Sequence, residues 1–310
     1  MDTHTLIASN ISKTYGNYTA LDDVSIAVPT GSVYGLLGPN GAGKTSLIRI
    51  INQITMPDAG HVLLNGEPLA PHHISQIGYM PEERGLYKSM KVGEQCVYLA
   101  QLKGLSKEDA KRKLNYWFER LGMQGWWNKK LQELSKGMAQ KVQFIVTVLH
   151  EPKLLIFDEP FSGFDPVNAN LIKDEILALR DAGTTIIFST HRMESVEEMC
   201  DHIALINKSK VVLSGKLNDV KEQFRSRSYG VSILTNNEQE SFNKIPRELN
   251  PQRTALKGLD NTLDVTVQLP LTWSVPQALQ VFTSMGELTY FSEIIPSVND
   301  IFIKTVAAHG

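Results

Sequence analysis

The residues best suited to chemistry form a glycine-rich loop, Gly38-Pro39-Asn40-Gly41-Ala42-Gly43-Lys44-Thr45, followed by Ser46. Its glycines let backbone N–H groups crowd around phosphates, and the helix predicted from Ser46 to Ile54 points its positive end at the anion. We expect Lys44 to reach the β- and γ-phosphates and Thr45 to offer a hydroxyl to Mg²⁺. The alternative is a turn that ends in Lys-Thr by chance, but the apolar strand before it, Val33 to Leu37, favours a nucleoside triphosphate site.

A second set of candidate groups follows two apolar runs. Asp158 and Glu159 come after Leu154 to Phe157, and His191 comes soon after Thr184 to Phe188. Such runs are typical of strands buried on both faces, and ligands of open α/β sheets bind at the carboxyl ends of the strands. Each group alone could be a solvent-facing charge or a sheet-edge histidine. Their joint placement beside a phosphate loop favours a catalytic site.

The elements that must position these groups alternate between strands and helices. The segments Thr5 to Ser12 and Ala20 to Val28 predict an antiparallel pair. Tyr15 lies in the turn between them, where it could stack on an adenine base or pack on its own sheet. Asn65-Gly66 predicts a hairpin that returns the chain toward Ile77. Strands alternating with helices around a phosphate loop indicate a largely parallel, helix-covered sheet.

Two further regions complete the predicted organisation. Helical spacing over Val92 to Leu102, Lys107 to Leu121 and Gly137 to His150 predicts a block of helices. Beyond a linker at Arg225-Ser226-Arg227-Ser228, the order of elements indicates a small α+β sandwich of split-βαβ type. Its predicted elements are strand Tyr229 to Leu234, helix Glu240 to Leu249, strands Thr254 to Lys257 and Thr262 to Leu269, helix Val275 to Met285, strand Glu287 to Ser292 and a helix after Pro296.

Composition restricts the class of protein. The 310 residues suffice for one large domain and a smaller one, and 31 basic against 33 acidic side chains argue against nucleic acid binding. Cys96 and Cys200 have no metal-ligand or redox spacing, which favours reduced thiols of a cytosolic protein. The sequence shows neither an N-terminal signal nor a run of about 18 apolar residues, so a membrane-spanning partner would be another chain.

The phosphate loop is accompanied, in a fixed order, by Leu134-Ser135-Lys136-Gly137-Met138, Asp158-Glu159-Pro160, Ser162-Gly163-Phe164-Asp165 and His191. In order and spacing, over roughly residues 4 to 224, the chain resembles the ATP-binding-cassette (ABC) ATPases. The resemblance implies an α/β P-loop NTPase core over residues 1–224, with an antiparallel β subdomain and a helical subdomain at about 88–150. A small α+β accessory domain would follow over residues 229–310.

Position by position, the resemblance also implies roles. Tyr15 would stack on adenine, Asp158 would hold Mg²⁺ through water, Glu159 would be the general base and His191 would reach the γ-phosphate. The assigned residues are, as catalytic groups, Glu159, His191 and Lys44; as ATP-binding groups, Tyr15, Gly38, Pro39, Asn40, Gly41, Ala42, Gly43, Lys44, Thr45, Ser46, Ser135, Gly137 and Asp165; and as metal ligands, Thr45, Glu82 and Asp158.

Ser135 and Gly137 match a signature that binds the γ-phosphate held by another subunit, so the resemblance implies a dimer that sandwiches two ATP, either a homodimer or a pair with another ATPase subunit. Lys136 stands where glycine is commoner, Met138 where glutamine is, and Phe164 where leucine is. These departures leave the two phosphate-contacting positions intact.

One loop departs from the family at a position of interest. In Tyr79-Met80-Pro81-Glu82-Glu83-Arg84-Gly85-Leu86-Tyr87, Glu82 replaces the usual glutamine. The same run, with a C-terminal extension that ends near Ile295 to Phe302, resembles the sodium-extrusion and related ABC-2-type export ATPases. The implied function is the ATPase subunit of an exporter, bound peripherally at the cytoplasmic face of the membrane to an ABC-2-type permease.

Two other functions are weighed against this one. A soluble ABC protein with a mechanical role usually carries two cassettes or a long coiled coil, whereas this sequence has one cassette and no heptad run. An enzyme that phosphorylates a small molecule would share the phosphate loop but not the Ser135 to Met138 motif.

Overall fold

The computed structural model of the chain describes residues 3–83, 85–254 and 261–308. The chain divides into two compact units. The first runs to Asn218 and takes in the chain from Phe302 onward, and the second is Asp219–Ile301. The domain limits predicted from the sequence, 1–224 and 229–310, stay a prediction.

The first unit contains two sheets. The larger one consists of β3 (Val33–Leu37), β6 (Ile77–Met80), β7 (Leu154–Asp158), β8 (Thr185–Ser189), β9 (His202–Asn207) and β10 (Lys210–Lys216), and the smaller one of β1 (His4–Tyr15), β2 (Tyr18–Pro29), β4 (Ala59–Leu64) and β5 (Glu67–Pro68). The larger sheet has the order β10-β9-β3-β8-β7-β6, in which only β10 is antiparallel to its neighbour. The predicted parallel sheet is confirmed.

Burial explains why these segments form strands. Every residue of β3, β7 and β8 is buried, as expected for central parallel strands covered on both faces. In β1 and β2 buried residues alternate in part with exposed ones, which suits a sheet with one face on the core. One apolar cluster joins both sheets to the helix after the phosphate loop, through residues such as Leu6, Leu36 and Ile48.

Helices cover the larger sheet and form the predicted block. They are α1 (Lys44–Ile51), α2 (Val92–Leu102), α3 (Lys107–Arg120), α4 (Lys136–Val148), α5 (Pro166–Asp181) and α6 (Met193–Met199), with 3-10 turns at Pro71–Gln76 and Leu131–Glu133. Helix α7 (Leu217–Gln223) crosses the boundary between the two units. Ser106, Ser135 and Asp165 cap the N-termini of α3, α4 and α5 with side-chain oxygens. These caps satisfy backbone N–H groups that have no partner within the helix.

The hairpin predicted at Asn65-Gly66 is shorter than expected. Strand β4 pairs with the two-residue β5, and Ile77–Met80 lies in the other sheet, parallel to β7. Proline at position 68 has no N–H to continue the ladder, and Pro71 begins a 3-10 turn that leads the chain away.

The second unit has the predicted split-βαβ arrangement. Its elements are β11 (Ser228–Leu234), α8 (Glu238–Lys244), β12 (Gln252–Arg253), β13 (Thr262–Gln268), α9 (Val275–Thr283) and β14 (Glu287–Glu293), followed by α10 (Val298–Ala308), whose last turns belong to the first unit. The strands are all antiparallel in the order β12-β13-β11-β14. The inward side chains of the three longer strands pack with Phe282 and Leu249 into a separate apolar core.

Two predicted elements of this unit differ from the structure. The helix expected over Glu240 to Leu249 stops at Lys244, and a 3-10 turn covers Arg247–Leu249. Pro246 explains the break, because it cannot donate an intrahelical hydrogen bond. The strand expected at Thr254 to Lys257 does not include Thr254, and its remaining residues lie outside the described part of the chain.

Within residues 3–83, 85–254 and 261–308, the structure contains no helix long and apolar enough to span a bilayer.

We predict that the two units unfold separately. Phe282 is fully buried, and its ring centroid lies 6.2 Å from that of Phe291. Phe282→Ala should lower the free energy of unfolding of the second unit by about 3–5 kcal/mol, because it leaves a cavity, while ATP affinity stays unchanged. Urea unfolding and ATP titration of the same protein measure both. A parallel loss of ATP binding would contradict two independent cores.

Candidate functional site

The carboxyl ends of four parallel strands meet at one edge of the larger sheet. Asp158 of β7 and Leu36 of β3 are both in register with Ser189 of β8, so the three strands end level. A cavity of about 220 Å³ opens at this edge. Its lining residues are Tyr18, Asn40, Gly41, Gly43, Lys44, Thr45, Ser46, Glu82, Asp158, Glu159 and His191.

The phosphate loop needs glycine at two positions for a steric reason. Gly38 and Gly43 adopt φ of +147° and +119°. A Cβ at Gly38 would run into the carbonyl oxygen of Ile206, and one at Gly43 into that of Ala20. The loop is therefore wedged against β9 and β2, with its backbone curled in the manner of an anion-binding nest.

Lys44 lies at the first position of α1, and its ammonium is folded back onto the loop. Its Nζ donates to the carbonyls of Gly38 at 2.7 Å and Pro39 at 3.1 Å. Burial lowers the pKa of Lys44, while the charges of Asp158, Glu159 and Glu82 act in the opposite direction. A phosphate can take over these donated bonds and add the counter-charge that the half-buried ammonium favours.

Asp158 is a buried carboxylate, with 6% of its surface exposed. Burial raises its pKa above the ordinary value, and the charges of Glu159 and Glu82 raise it further, against the opposing effects of Ser189 and Lys44. The negative charge of Glu82 thus raises the pKa of both Asp158 and Lys44. Clustered carboxylates of this kind are stabilised by a cation.

The groups present fit Mg²⁺. Thr45 contributes a hydroxyl beside the carboxylates of Glu82 and Asp158 in one cavity, and oxygen donors are what this ion prefers. The charges also favour a bound cation. Three carboxylates line the cavity, and Lys44 contributes the one ammonium among its lining residues.

Glu159 is held at three points by the segment after β8. Its Oε1 accepts from the backbone N–H of His191 at 2.8 Å and lies 2.7 Å from His191 Nδ1, while Oε2 accepts from the hydroxyl of Thr190 at 3.1 Å. Glu159 also has a φ of +51°, a left-handed conformation that costs free energy in a non-glycine residue and is common at functional sites. The carboxylate is thereby fixed toward the cavity.

Ser135, Gly137 and Asp165 form a second, separate group. None of them is among the described residues that line the cavity. A Cβ at Gly137 would lie 3.4 Å from the carbonyl oxygen of Gly163 and 3.6 Å from the Phe164 ring, so the signature helix and the Asp165 loop are adjacent. Asp165 caps α5 by accepting from the backbone N–H of Asn168 at 3.0 Å. The structure thus places the predicted residues in two separate groups.

Tyr15 and Tyr18 face each other across the hairpin that joins β1 and β2. Tyr15 is 42% exposed at the strand end, which leaves its ring available for stacking, but Tyr18 is the one that lines the cavity. The Tyr18 hydroxyl donates to the carbonyl of Gly41 at 2.5 Å. The sequence assigned no role to Tyr18 or Thr190. The two-residue turn could have indicated Tyr18, because residues paired across a hairpin share one side of the ladder.

One other cluster could attract a metal by composition. Glu67, His72 and His73 bring ligand atoms within 4.8 Å of one another. However, the backbone N–H of Ala70 donates to Nδ1 of His73 at 3.0 Å. An imidazole nitrogen that already accepts a hydrogen bond has its lone pair in use, and the other nitrogen of His73, Nε2, lies 3.4 Å from Glu67 Oε2. We therefore assign this cluster a structural role.

Comparison with known proteins relates this chain to ATP-binding proteins of ABC transporters. Residues 21–162 match the family model "ABC transporter", and residues 215–306 match "ATP-binding protein DrrA1-3-like, C-terminal domain". The chain is 40% identical over 303 residues to "Uncharacterized ABC transporter ATP-binding protein YhaQ" of Bacillus subtilis (strain 168), covering 98% of this chain and 99% of that protein. It is 32% identical over 214 residues to "Nod factor export ATP-binding protein I" of Cupriavidus metallidurans, covering 68% and 71%.

Solved structures extend the similarity to the fold. "Structure of ATP binding subunit of ABC transporter" matches with a TM-score of 0.66 and 31% identity, covering 71% of this chain and 93% of that one. The predicted α/β core of P-loop NTPase type is confirmed.

We predict that the burial of Asp158 lowers the stability of the nucleotide-free protein. Asp158→Asn should raise its thermal midpoint at pH 7 by about 2–4 °C, the shift that about 1 kcal/mol produces in a unit of this size, because a buried charge beside two carboxylates is removed. Because the pKa of Asp158 is raised, the wild-type protein loses stability as the pH rises through that pKa and the buried carboxyl ionises. The difference between the proteins should therefore shrink as the pH falls toward about 4. An unchanged or lower midpoint at pH 7 would contradict this.

Proposed function

This chain belongs to the ATP-binding proteins of ABC transporters, and we propose that it binds ATP with Mg²⁺, dimerises over two nucleotides and hydrolyses them to drive a separate export permease. The dimer would be a homodimer or a pair with another ATPase subunit. Its place would be the cytoplasmic face of the membrane, where it binds peripherally to a permease of ABC-2 type.

The division into two half-sites carries this proposal. Lys44, Thr45, Asp158 and Glu159 line one cavity, whereas Ser135 caps a helix elsewhere on the unit. A helix N-terminus that offers a hydroxyl and free N–H groups binds phosphate well. When two chains face each other, the signature helix of one can complete the phosphate site of the other. A phosphotransferase that works as a monomer has no use for this second half-site.

The held carboxylate supports hydrolysis as the reaction. An ionised carboxylate only accepts hydrogen bonds, so His191 must donate to Glu159 through Nδ1. Glu159 can then accept a proton from an attacking water, and His191 beside it would reach the γ-phosphate. Lys44 binds the phosphates as they gain negative charge. Mg²⁺, when held by Thr45, Asp158 and Glu82, would supply further positive charge there.

A groove on the first unit is suited to a permease segment. It has a volume of about 650 Å³ and lies between α3, α5 and the start of β7. Tyr116, which is 55% exposed, lines it with Trp117, and an ion pair of 2.5 Å joins Arg120 to Glu175 at its wall. Aromatic and arginine side chains are enriched in protein interfaces. Export, rather than import, is favoured by the relative named as a Nod factor export protein.

We predict that substitutions of Glu159 and Lys44 impair different steps, hydrolysis and ATP binding respectively. Glu159→Gln removes the base but keeps the phosphate loop, so ATP affinity should stay within about threefold, turnover should fall by more than about a hundredfold and an ATP-bound dimer should accumulate. Lys44→Ala should weaken ATP binding itself. Nucleotide titration and size-exclusion chromatography distinguish them. Wild-type turnover in Glu159→Gln would refute the assignment.

We predict a second effect at Glu82, where an acidic group stands in place of the family's glutamine. A carboxylate binds a hard cation better than an amide does, but it repels the triphosphate when the ion is missing. ATP binding should therefore depend more steeply on Mg²⁺ in the wild type than in Glu82→Gln, and Glu82→Ala should lower hydrolysis while sparing ATP binding. Mg²⁺ titration at fixed ATP measures this. Three superimposable curves would leave Glu82 without a role at the metal.

Purification of this chain from detergent-solubilised membranes distinguishes the transporter role from a soluble mechanical role. A membrane-spanning chain that copurifies with this one supports the permease, and its consistent absence favours the soluble alternative.

A further inference from the structure

A buried glutamine on α4 is bonded to the loop that carries Glu82. The Nε2 of Gln143 donates to the carbonyl of Pro81 at 2.7 Å, and the side chain is only 4% exposed. Pro81 directly follows β6 and directly precedes Glu82. The bond therefore fixes the point at which the chain leaves the sheet and turns toward the cavity.

The same loop is fixed at its other end by a second buried glutamine. The Oε1 of Gln95 on α2 accepts from the backbone N–H of Tyr87 at 2.7 Å, and its Nε2 donates to the carbonyl of Tyr87 at 3.2 Å. Between these two anchors, Glu82 and Glu83 are exposed. The two ends of the segment that carries Glu82 are thus held by side chains of the helical block.

One turn earlier on α4, a third glutamine reaches the other carboxylate segment. The Nε2 of Gln140 donates to the carbonyl of Pro160 at 3.2 Å, and the side chain is 1% exposed. Pro160 directly follows Glu159. Residues three apart lie on the same side of a helix, so one face of α4 binds both segments.

Gln143 is not optimised for stability alone. Its Oε1 is buried and has no hydrogen-bond partner among the described residues. An unpaired buried acceptor costs free energy, and an apolar side chain of similar length would avoid that cost. Only one of the two polar atoms of the amide is therefore bonded among the described residues, and that bond is the one to Pro81.

We propose that Gln143 and Gln140 are positioning residues, through which the helix that begins at Ser135 holds the Glu82 loop and the Glu159 strand end in place. This inference rests on the proposed function. When the N-terminus of α4 engages a phosphate bound by the partner subunit, any shift of the helix is passed to both carbonyls. The two carboxylates of a site then respond together to the nucleotide in the opposite site.

The test compares Gln143→Met with the wild type. Methionine has a similar length but neither donor nor acceptor. We expect a thermal midpoint within about 2 °C and ATP affinity within about twofold, because Pro81 is only half-buried, so water can replace the lost donor, and the phosphate loop is intact. Turnover should fall about tenfold, and the Mg²⁺ concentration for half-maximal turnover should rise. Hydrogen exchange at Glu82, Glu83 and Gly85 should accelerate, with β7 unchanged.

Thr147→Val is the matched control. Thr147 lies on the same helix, is 4% exposed and donates only to the carbonyl of Gln143 within that helix at 2.9 Å. It should leave turnover and loop exchange at wild-type values. If Gln143→Met were unfolded, Gln140→Met would provide the same test at Glu159 and Ser162.

The outcomes separate this inference from the proposed function. A wild-type protein without ATP turnover would refute the function, while the exchange measurement would still report whether the glutamine holds the loop. Wild-type exchange at the loop in folded Gln143→Met, or faster exchange with wild-type turnover, would overturn the positioning role.

Discussion

The structure depends on a crowding of like charges around one half-buried ammonium, that of Lys44. Parallel strands β3, β6, β7 and β8 end at one edge, and the chain leaves each of them with a polar group. Three carboxylates, those of Glu82, Asp158 and Glu159, meet there with Lys44. The arrangement is unfavourable in isolation, as the raised pKa of Asp158 indicates. Under the proposed function it would become favourable when phosphate and a divalent cation bind together.

The rest of the first unit serves to hold these groups against their repulsion. Thr190 and His191 hold Glu159, the wedged glycines hold the phosphate loop, and the helical block holds the Glu82 loop through Gln95 and Gln143. Each contact reaches the site from a different strand or helix. The helix α4, whose N-terminus carries the proposed phosphate-binding residue Ser135, thus also supports the loop that carries Glu82.

Much of this site was predictable from the sequence, because its motifs are local. The phosphate loop, the pair Asp158-Glu159 and His191 are each a short run after an apolar strand, and parallel strands bring such runs to one edge. Tyr18 and Thr190 were missed because their roles depend on register and on hydrogen bonds between distant segments. The glutamines of α4 resemble ordinary helix residues, and only the structure shows which carbonyls they meet.

The fold was predictable to a similar extent. The parallel sheet, the helical block and the split-βαβ order follow from periodicity, whereas the hairpin at β5 and the helix broken before Pro246 show where proline overrides it. The proposed roles of Ser135, Gly137 and Asp165 depend on a second chain.

The most direct test of the shared site is ATP turnover per chain measured against chain concentration. If Ser135 of one subunit completes the site around Lys44 of another, turnover per chain should rise with concentration until dimers predominate, and Ser135→Arg should abolish the rise. Turnover per chain that is constant from nanomolar to micromolar concentration, in a protein that remains monomeric throughout, would contradict the shared site.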